Sequence, residues 1–480
     1  MLREKRKTKI VATVGPASNT PEMICRLLQA GVDVFRLNFS HGEHAEKSRL
    51  IELIRDASRK VGKQAAILAD LQGPKIRTGK MAGVGMLLEK GQDVVITTTD
   101  CLGENGVIPT IYQALPQDVV QGSRILLDDG LIELKVTAIK DQVVHCHVVN
   151  GGLLKNNKGI NLPGVHVSAP SLTEKDLEDL NFCLASDIDY VALSFVRTAE
   201  DVEGVKRIMY EAGKPLPVVA KIEKPEALRS FNKILKVADA VMVARGDLGV
   251  EMQAEKVPLI QKKIIQACNK AGKPVITATQ MLESMIVNPR PTRAETSDVA
   301  NAIIDGTDAV MLSGETASGA YPVEAVETMV RISRDVEQAG FGSRNNAPVL
   351  VTPSIAQAVG EAACRISASL KAKAIAVFTQ SGSTAALISR FRPNIPIVAF
   401  TNGEMIQRKL ALCWGVHTRS IEILENMDQQ VTVAEQVLLA SGFKKGDIIV
   451  LVMGIPIEAR GSTNLMKVHK LGAGRFFEIF

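Results

Sequence analysis

Eight short apolar runs, each followed by a segment of helical patterning, predict an α/β protein whose main unit is a (β/α)8 TIM barrel. Two further observations complete the prediction. After the third run the alternation breaks for about a hundred residues of short Gly- and Val-rich strands, which read as an inserted small all-β domain. Past a polar stretch at 341–348 a separate C-terminal α/β domain begins.

The eight strand candidates are Lys9–Gly15, Val34–Ser40, Ala66–Leu71, Tyr190–Phe195, Val218–Glu223, Ala240–Arg245, Pro274–Thr279 and Ala309–Gly314. Helical patterns fit between them, as at Thr20–Ala30, His44–Val61, Glu174–Ala185 and Ala199–Ala212. Within the interruption, strands are expected at Asp93–Thr97, Ile125–Leu127, Ile132–Ile139 and Val143–Val149, with turns at Asp128-Asp129-Gly130 and Asn150-Gly151-Gly152. The C-terminal part reads as a helix (Ser354–Leu370), a strand (Ala374–Thr379), a helix (Ser381–Phe391), a strand (Ile397–Phe400) and strands near Ile448–Met453 and Leu465–His469. The expected boundaries are 1–71 and 172–340 for the barrel, 72–171 for a β-barrel lid and 348–480 for the C-terminal domain.

A length of 480 residues implies two or three cores. With 4% aromatic residues, those cores must be built from Val, Ile, Leu and Ala. The net charge of +5 suits anionic metabolites and supplies no basic patch of the kind nucleic-acid binding needs. The basic start leads into a short strand with no cleavage site, and no apolar stretch reaches the roughly 18 residues of a membrane span. Seven scattered cysteines without a CxxC pair read as reduced thiols of a cytoplasmic protein.

Functional residues of such a barrel belong at the strand C-termini. The fifth run ends in Lys221 and Glu223, and Asp247 closes the sixth. Charges buried at strand ends must be paired, metal-bound or turned to a ligand. Two acids beside one ammonium fit a divalent cation held by Glu223 and Asp247, with Lys221 facing an anion. An internal Lys221–Glu223 salt bridge competes with that reading; Asp247 weakens it, because two acids then crowd one base. Gly246 would let backbone amides approach a carboxylate.

Arg36, Asn38 and Ser40 alternate on one strand face and form an anion-and-cation row. Asp70 could join Asn38 and Ser40 around a monovalent cation, and Arg77 could reach a phosphate. Thr277 and Thr279 alone would pass as ordinary strand residues, Ser313 and Glu315 as support for the site, and Pro289–Glu295 as a structural loop.

Together these residues closely resemble the pyruvate kinase family. RLNFSHG (36–42), LQGPKIR (71–77), NNKGINLPG (156–164), AKIEKPEA (220–227), MVARGDLGVE (242–251), ATQMLESM (278–285), PRPTRAE (289–295) and MLSGETA (311–317) fall in that family's order and spacing across nearly the whole chain. The resemblance implies phosphoryl transfer from phosphoenolpyruvate to ADP, giving ATP and an enolate that is protonated to pyruvate. It implies Mg2+, or Mn2+, on Glu223 and Asp247. Lys221 would stabilise the phosphoryl group and the enolate oxygen, Arg36 would grip the phosphoryl group, and Gly246, Asp247 and Thr279 would bind the carboxylate. Thr279 would also lie near the proton's route. Arg77 and Lys158 would close on the nucleotide, with Asn38 and His41 beside it; for His41 a capping role competes. The resemblance also implies a homotetramer.

Asn38, Ser40, Asp70 and the Leu71 carbonyl could form the monovalent-cation site. Strongly K+-dependent members of the family generally carry a glutamate where Lys75 stands and a threonine where Leu71 stands, so activity largely independent of K+ is expected. In the C-terminal domain, Thr379, Ser381, Gly382, Ser383 and Thr384 form a hydroxyl-rich strand-to-helix loop suited to an anion. In relatives the matching loop holds the phosphate of an allosteric effector, and Arg460–Thr463 resembles the segment that completes that pocket; a well-capped helix without ligand is the alternative. Two other readings of the whole chain are a metal-dependent aldolase or lyase and an inactive effector-sensing relative. Lys221, Arg77 and Lys158 argue against the first, and intact Lys221, Glu223, Asp247 and Thr279 against the second.

Overall fold

A computed structural model describes residues 6–341, 354–422, 424, 426–455 and 463–473. Its barrel strands are short apolar runs buried on both faces, as parallel strands covered by helices must be. β1 (Lys9–Thr13), β2 (Val34–Asn38) and β3 (Ala66–Asp70) come first. Eight further strands then intervene: β4 (Met86–Leu88), β5 (Asp93–Thr97), β6 (Val107–Pro109), β7 (Arg124–Leu127), β8 (Ile132–Lys140), β9 (Val143–Asn150), β10 (Gly152–Leu154) and β11 (Ile160–Asn161). β12 (Tyr190–Leu193), β13 (Val218–Ile222), β14 (Ala240–Ala244), β15 (Val275–Ala278) and β16 (Ala309–Leu312) complete the set. β1 to β3 and β12 to β16 close a parallel barrel in chain order, with β16 pairing β1.

Helix boundaries follow local chemistry. Thr20, Thr173 and Thr292 each cap a helix start by accepting a backbone N–H, and Gly62 and Gly272 end helices in the left-handed conformation. The helices bury their apolar faces on the outside of the barrel, where Leu28, Ile54 and Met329 belong to one core with Phe35 and Ile67. Leu68, Val219, Met242, Ile276 and Met311 fill the interior. Its floor is plugged by Leu412, from the C-terminal domain.

The intervening strands form a six-stranded sheet, order β11-β7-β8-β9-β5-β6, and a β10-β4 pair, around a separate core that includes Ile125, Leu134 and Val144. Two anchors hold this unit to the barrel. Arg197 donates to the Val167 and Ala169 carbonyls, and buried Glu251 accepts from Asn161 at 2.9 Å while pairing with Lys224.

The C-terminal domain has strands β17 (Ala374–Phe378), β18 (Ile397–Thr401), β19 (Val416–Ser420), β20 (Ile448–Met453) and β21 (Leu465–Lys470), in the order β19-β18-β17-β20-β21 with only β21 antiparallel. It seats on the N-terminal end of the barrel. Arg408 binds Asp189 at 2.7 Å and Asp187 at 2.9 Å, and Arg392 binds Asp308 at 2.8 Å. The C-terminal strand ends are therefore left facing the inserted unit.

Every barrel strand ends one or two residues short of its expected limit; β2 stops at Asn38, which leaves Ser40 in a turn beyond the strand face of Arg36 and Asn38, and two other boundaries differ in kind. The sixth barrel strand stops at Ala244, and Arg245–Glu251 is a helix, so Asp247 stands on a first helical turn and not at a strand end. Arg245 fixes that change of course by folding back to the Thr279 carbonyl at 2.7 Å and to Asp298 at 2.7 Å. In the C-terminal domain the helix starts at Ser383, not Ser381, because Gly382 takes a left-handed turn (φ +86°) before it. The polar stretch at 342–348 and residues 460–462 lie outside the described residues. Among the described residues, no helix is long and apolar enough to cross a membrane.

Candidate active site

Three strand ends converge on the Lys221 ammonium. It lies 3.0 Å from Glu223 Oε1, 3.1 Å from Asp70 Oδ1 and 2.7 Å from Ser194 Oγ. Asp70 ends β3, Ser194 follows β12, and Glu223 follows β13. Asp70 and Glu223 are each 1% exposed, so their charges depend on these partners and not on water. Asp70 also accepts from Arg36 Nε at 2.6 Å, and Arg36 Nη1 donates to Thr13 Oγ1 at 3.1 Å. The result is an alternating row, Arg36–Asp70–Lys221–Glu223.

Titration follows the row. Burial pushes the Asp70 carboxyl up, but Lys221 and Arg36 more than reverse this and hold it below the usual carboxylate range. Burial pulls Lys221 down, and Asp70 and Glu223 outweigh it, so the ammonium stays charged. Glu223 is raised: burial dominates, Lys221 opposes it, and the Asp247 carboxylate adds to it. Glu223 Oε2 is held by the Phe195 N–H at 2.7 Å. The Asp247 side chain makes no hydrogen bond or ion pair with the described residues. Two mutually repelling carboxylates, one of them without a partner, form a donor set that suits a hard divalent cation. No cluster of three or more His, Cys, Asp or Glu able to hold a metal occurs among the described residues, so any such ion would draw its other oxygens from substrate and water.

The seventh strand end stores strain. Thr279, β-branched, sits at φ +68°, with Gln280 at +53°. Thr279 Oγ1 accepts the Gly246 N–H at 2.7 Å and donates to the Ala278 carbonyl at 2.6 Å. Glu315, fully buried, accepts from the Leu282 N–H at 3.0 Å and the Ser313 N–H at 2.7 Å, which ties the seventh and eighth strand ends together. Glu295 closes a capping box with Thr292 and takes the Ser284 N–H, consistent with a structural loop. Lys75, Asp129, Gly246, Asp247, Thr279 and Ser313 line a cleft of about 890 Å3 beside the row.

Arg77 and Lys158 stand together at the base of the inserted unit, where Arg77 bridges to Gly159 and donates to the Asn157 carbonyl at 2.9 Å. Lys158 is held by Asp128 at 2.7 Å. His41 is exposed nearby; partial burial and the charges of Arg77, Lys47, Lys75 and Arg36 lower its pKa, so it is neutral at pH 7. Asn38 pairs with Asp70 across β2 and β3, and its Oδ1 accepts the Ser40 N–H at 3.1 Å. The Leu71 carbonyl accepts from Ser194 Oγ at 2.7 Å.

In the C-terminal loop, Thr379 Oγ1 accepts the Gly382 N–H at 3.0 Å, and the Ser381 and Ser383 hydroxyls meet at 2.9 Å. Buried Thr384 is joined to Thr463 at 2.7 Å.

Ser194 and the Phe195 amide were not anticipated among the site residues. The sequence carries little signal for them, since an uncharged serine near the end of the fourth apolar run costs nothing to leave unexplained.

The fold and this strand-end cluster define a (β/α)8-barrel enzyme with an inserted β unit over its catalytic end. The pyruvate kinase barrel-domain family matches residues 5–326, and the pyruvate kinase alpha/beta-domain family matches 357–469. The chain is 48% identical over 474 residues to the pyruvate kinase of Geobacillus stearothermophilus, covering 97% of this chain and 80% of that one. It is 48% identical over 469 residues to that of Mycobacterium intracellulare, covering 97% and 99%. A crystal structure of a pyruvate kinase from Cryptosporidium parvum superposes with a TM-score of 0.90 at 37% identity, covering 98% of this chain and 97% of the other. The chain belongs to the pyruvate kinase family and is a phosphotransferase.

Proposed function

We propose that this enzyme transfers the phosphoryl group of phosphoenolpyruvate to ADP by a metal-dependent mechanism, giving ATP and pyruvate in the final step of glycolysis. The observation that carries the reading is the Lys221 ammonium between buried Asp70 and Glu223, with the Asp247 carboxylate alongside. Glu223 and Asp247 would hold the Mg2+ or Mn2+; bound there, the ion supplies positive charge to the substrate's carboxylate and phosphoryl oxygens.

The chain's own groups do the rest by position and charge. Arg36, steadied by Asp70 and Thr13, grips the phosphoryl group. Lys221 offsets charge on the phosphoryl group in transit and on the enolate oxygen left behind. The Gly246 N–H, now on Thr279 Oγ1, turns to the substrate carboxylate with Asp247 and Thr279. Thr279 borders the path of the proton that quenches the enolate. Arg77, Lys158, Asn38 and neutral His41 form the nucleotide side, and Lys158 leaves Asp128 for a phosphate when the inserted unit closes as a lid over the site.

Asn38, Ser40, Asp70 and the Leu71 carbonyl form the monovalent-cation site of this reading. Asp70 already faces two cations and the Leu71 carbonyl already takes a hydroxyl, which supports K+ being dispensable here, with Lys75 supplying charge nearby. Thr379, Ser381, Gly382, Ser383 and Thr384 bind a phosphorylated allosteric effector. The paired hydroxyls of half-buried Ser381 and exposed Ser383 support this, and Thr379 and Thr384 brace the loop. A cytoplasmic homotetramer completes the reading. A coupled assay for pyruvate, run with and without ADP, tests it. ADP-dependent pyruvate and ATP formation is expected; pyruvate release indifferent to ADP would overturn it.

A further inference from the structure

We infer that Ser194 is a positioning residue that sets the Lys221 ammonium for phosphoryl transfer. The inference rests on the role given to Lys221 above. Ser194 is 2% exposed, and its hydroxyl lies 2.7 Å from Lys221 Nζ and 2.7 Å from the Leu71 carbonyl. An ammonium can only donate and a carbonyl can only accept. Asp70 Oδ1, the other acceptor in reach, is farther away at 3.4 Å, so the hydroxyl proton points to Leu71 and the oxygen lone pairs face Lys221.

This gives Lys221 three acceptors for three N–H groups: Asp70, Glu223 and Ser194. Glu223 would also hold the divalent ion, and with that acceptor engaged one Lys221 N–H would be free to face the substrate. Asp70 and Ser194 then remain to hold the ammonium from behind. Asp70 is shared with Arg36, whereas the Ser194 hydroxyl is anchored to backbone.

The backbone at Ser194 is itself fixed. The next residue, Phe195, takes φ +54°, a conformation that a bulky side chain adopts only when its surroundings enforce it. Its N–H holds Glu223 Oε2 at 2.7 Å, so one turn after β12 grips both members of the Lys221–Glu223 pair. Gly73 backs this turn: a Cβ there would stand 3.0 Å from Ser194 Cβ and 2.9 Å from the Phe195 ring. Gly73 also begins the chain's departure from β3 toward the inserted unit.

Steady-state kinetics of Ser194→Ala and Ser194→Thr, alongside Lys221→Met, test the inference. Misplacement of a reacting group by about 1 Å costs on the order of a hundredfold. S194A should lose about ten- to a hundredfold in kcat, with KM for ADP and the Mg2+ half-saturation unchanged, because Glu223 keeps its Phe195 contact. S194T, which restores a hydroxyl, should recover most of that loss. A merely structural serine would lower the melting temperature and leave kcat alone. If S194A does not fold, S194C replaces it, since a thiol fills the space but hydrogen-bonds weakly, and it must show the same loss of kcat. S194A within twofold of the parent, or S194T as slow as S194A at the parent's melting temperature, overturns the inference. K221M separates the two readings: an active K221M sinks the assigned role of Lys221, whereas an inactive K221M beside an unimpaired S194A sinks only the role of Ser194.

Discussion

Asp70→Asn changes one charge and almost no volume, and it tests whether the Arg36–Asp70–Lys221–Glu223 row is an ion-pair device. Asp70 is 1% exposed and lies 2.6 Å from Arg36 Nε and 3.1 Å from Lys221 Nζ. At an effective dielectric of about 20 these contacts carry gross attractions of about 6 and 5 kcal/mol. Much of that is offset by the desolvation that a neutral amide no longer suffers. Breaking a buried pair by removing one partner has a net cost of about 3–5 kcal/mol, because the remaining charges stay buried. In the variant, Arg36 and Lys221 face one another across a neutral group, Lys221 shifts toward Glu223, and turnover should fall about a hundredfold, as a displacement near 1 Å predicts.

The pH dependence has a definite sign. The folded-state pKa of Asp70 is depressed, so its contribution is present above the unfolded value, near 4, and is lost as pH falls through the folded value. The stability gap between parent and variant should thus be wide at pH 7 and narrow below about pH 4. Pyruvate formation coupled to lactate dehydrogenase reads the rate. Guanidinium unfolding reads the stability, followed by far-UV circular dichroism and by Trp414, the chain's one tryptophan, which is buried with Lys7 and Arg392 over its ring. An Asp70→Asn enzyme that turns over within threefold of the parent and unfolds at the same denaturant concentration would refute the reasoning.

Three further outcomes are expected. Turnover in tetramethylammonium buffer free of Na+ and K+ should stay within a few-fold of that in K+; a several-hundredfold fall would show that Lys75 and the occupied Leu71 carbonyl do not replace the ion. Because burial and Asp247 raise Glu223, and only ionised carboxylates take the metal, Mn2+ binding measured calorimetrically without substrate should tighten as pH rises through the Glu223 titration. Glu223→Gln should weaken that binding and abolish its pH dependence, and an unaltered titration would remove Glu223 from the metal site. The Ser381→Asp/Ser383→Asp double variant puts two negative charges in the effector loop and should lose activation by phosphorylated effectors; activation that persists at the parent's level counts against an anion site there.

The barrel was legible because each of its strands is a run buried on both faces, and such runs stand out against amphipathic helices. The break after β3 was legible for the same reason: Val143–Asn150 alternates buried with more exposed residues, unlike β1, β3 and β14, which are buried throughout. What sequence could not show was that the chain turns helical straight after β14. Arg245–Glu251 carries three charges and two glycines, a composition that reads as a strand end and loop, and the helix is fixed by Arg245 reaching carbonyls more than thirty residues away.

The same limit governs the site. Lys221, Glu223 and Asp247 announce themselves, since charge at the end of an apolar run is costly unless it is used. Asp70 was visible as a residue, but its partners were not, because Lys221 lies 151 positions along the chain and meets it only when the barrel closes. Read linearly, Asp70 groups with Asn38 and the Leu71 carbonyl as a cation ligand. The fold adds what residue order does not show: Arg36 and Lys221 against the Asp70 carboxylate, and a serine 123 positions away on the Leu71 carbonyl. Ser194 escaped for a simpler reason: an uncharged hydroxyl at a strand end raises no electrostatic problem. Its significance comes only from the ammonium it faces.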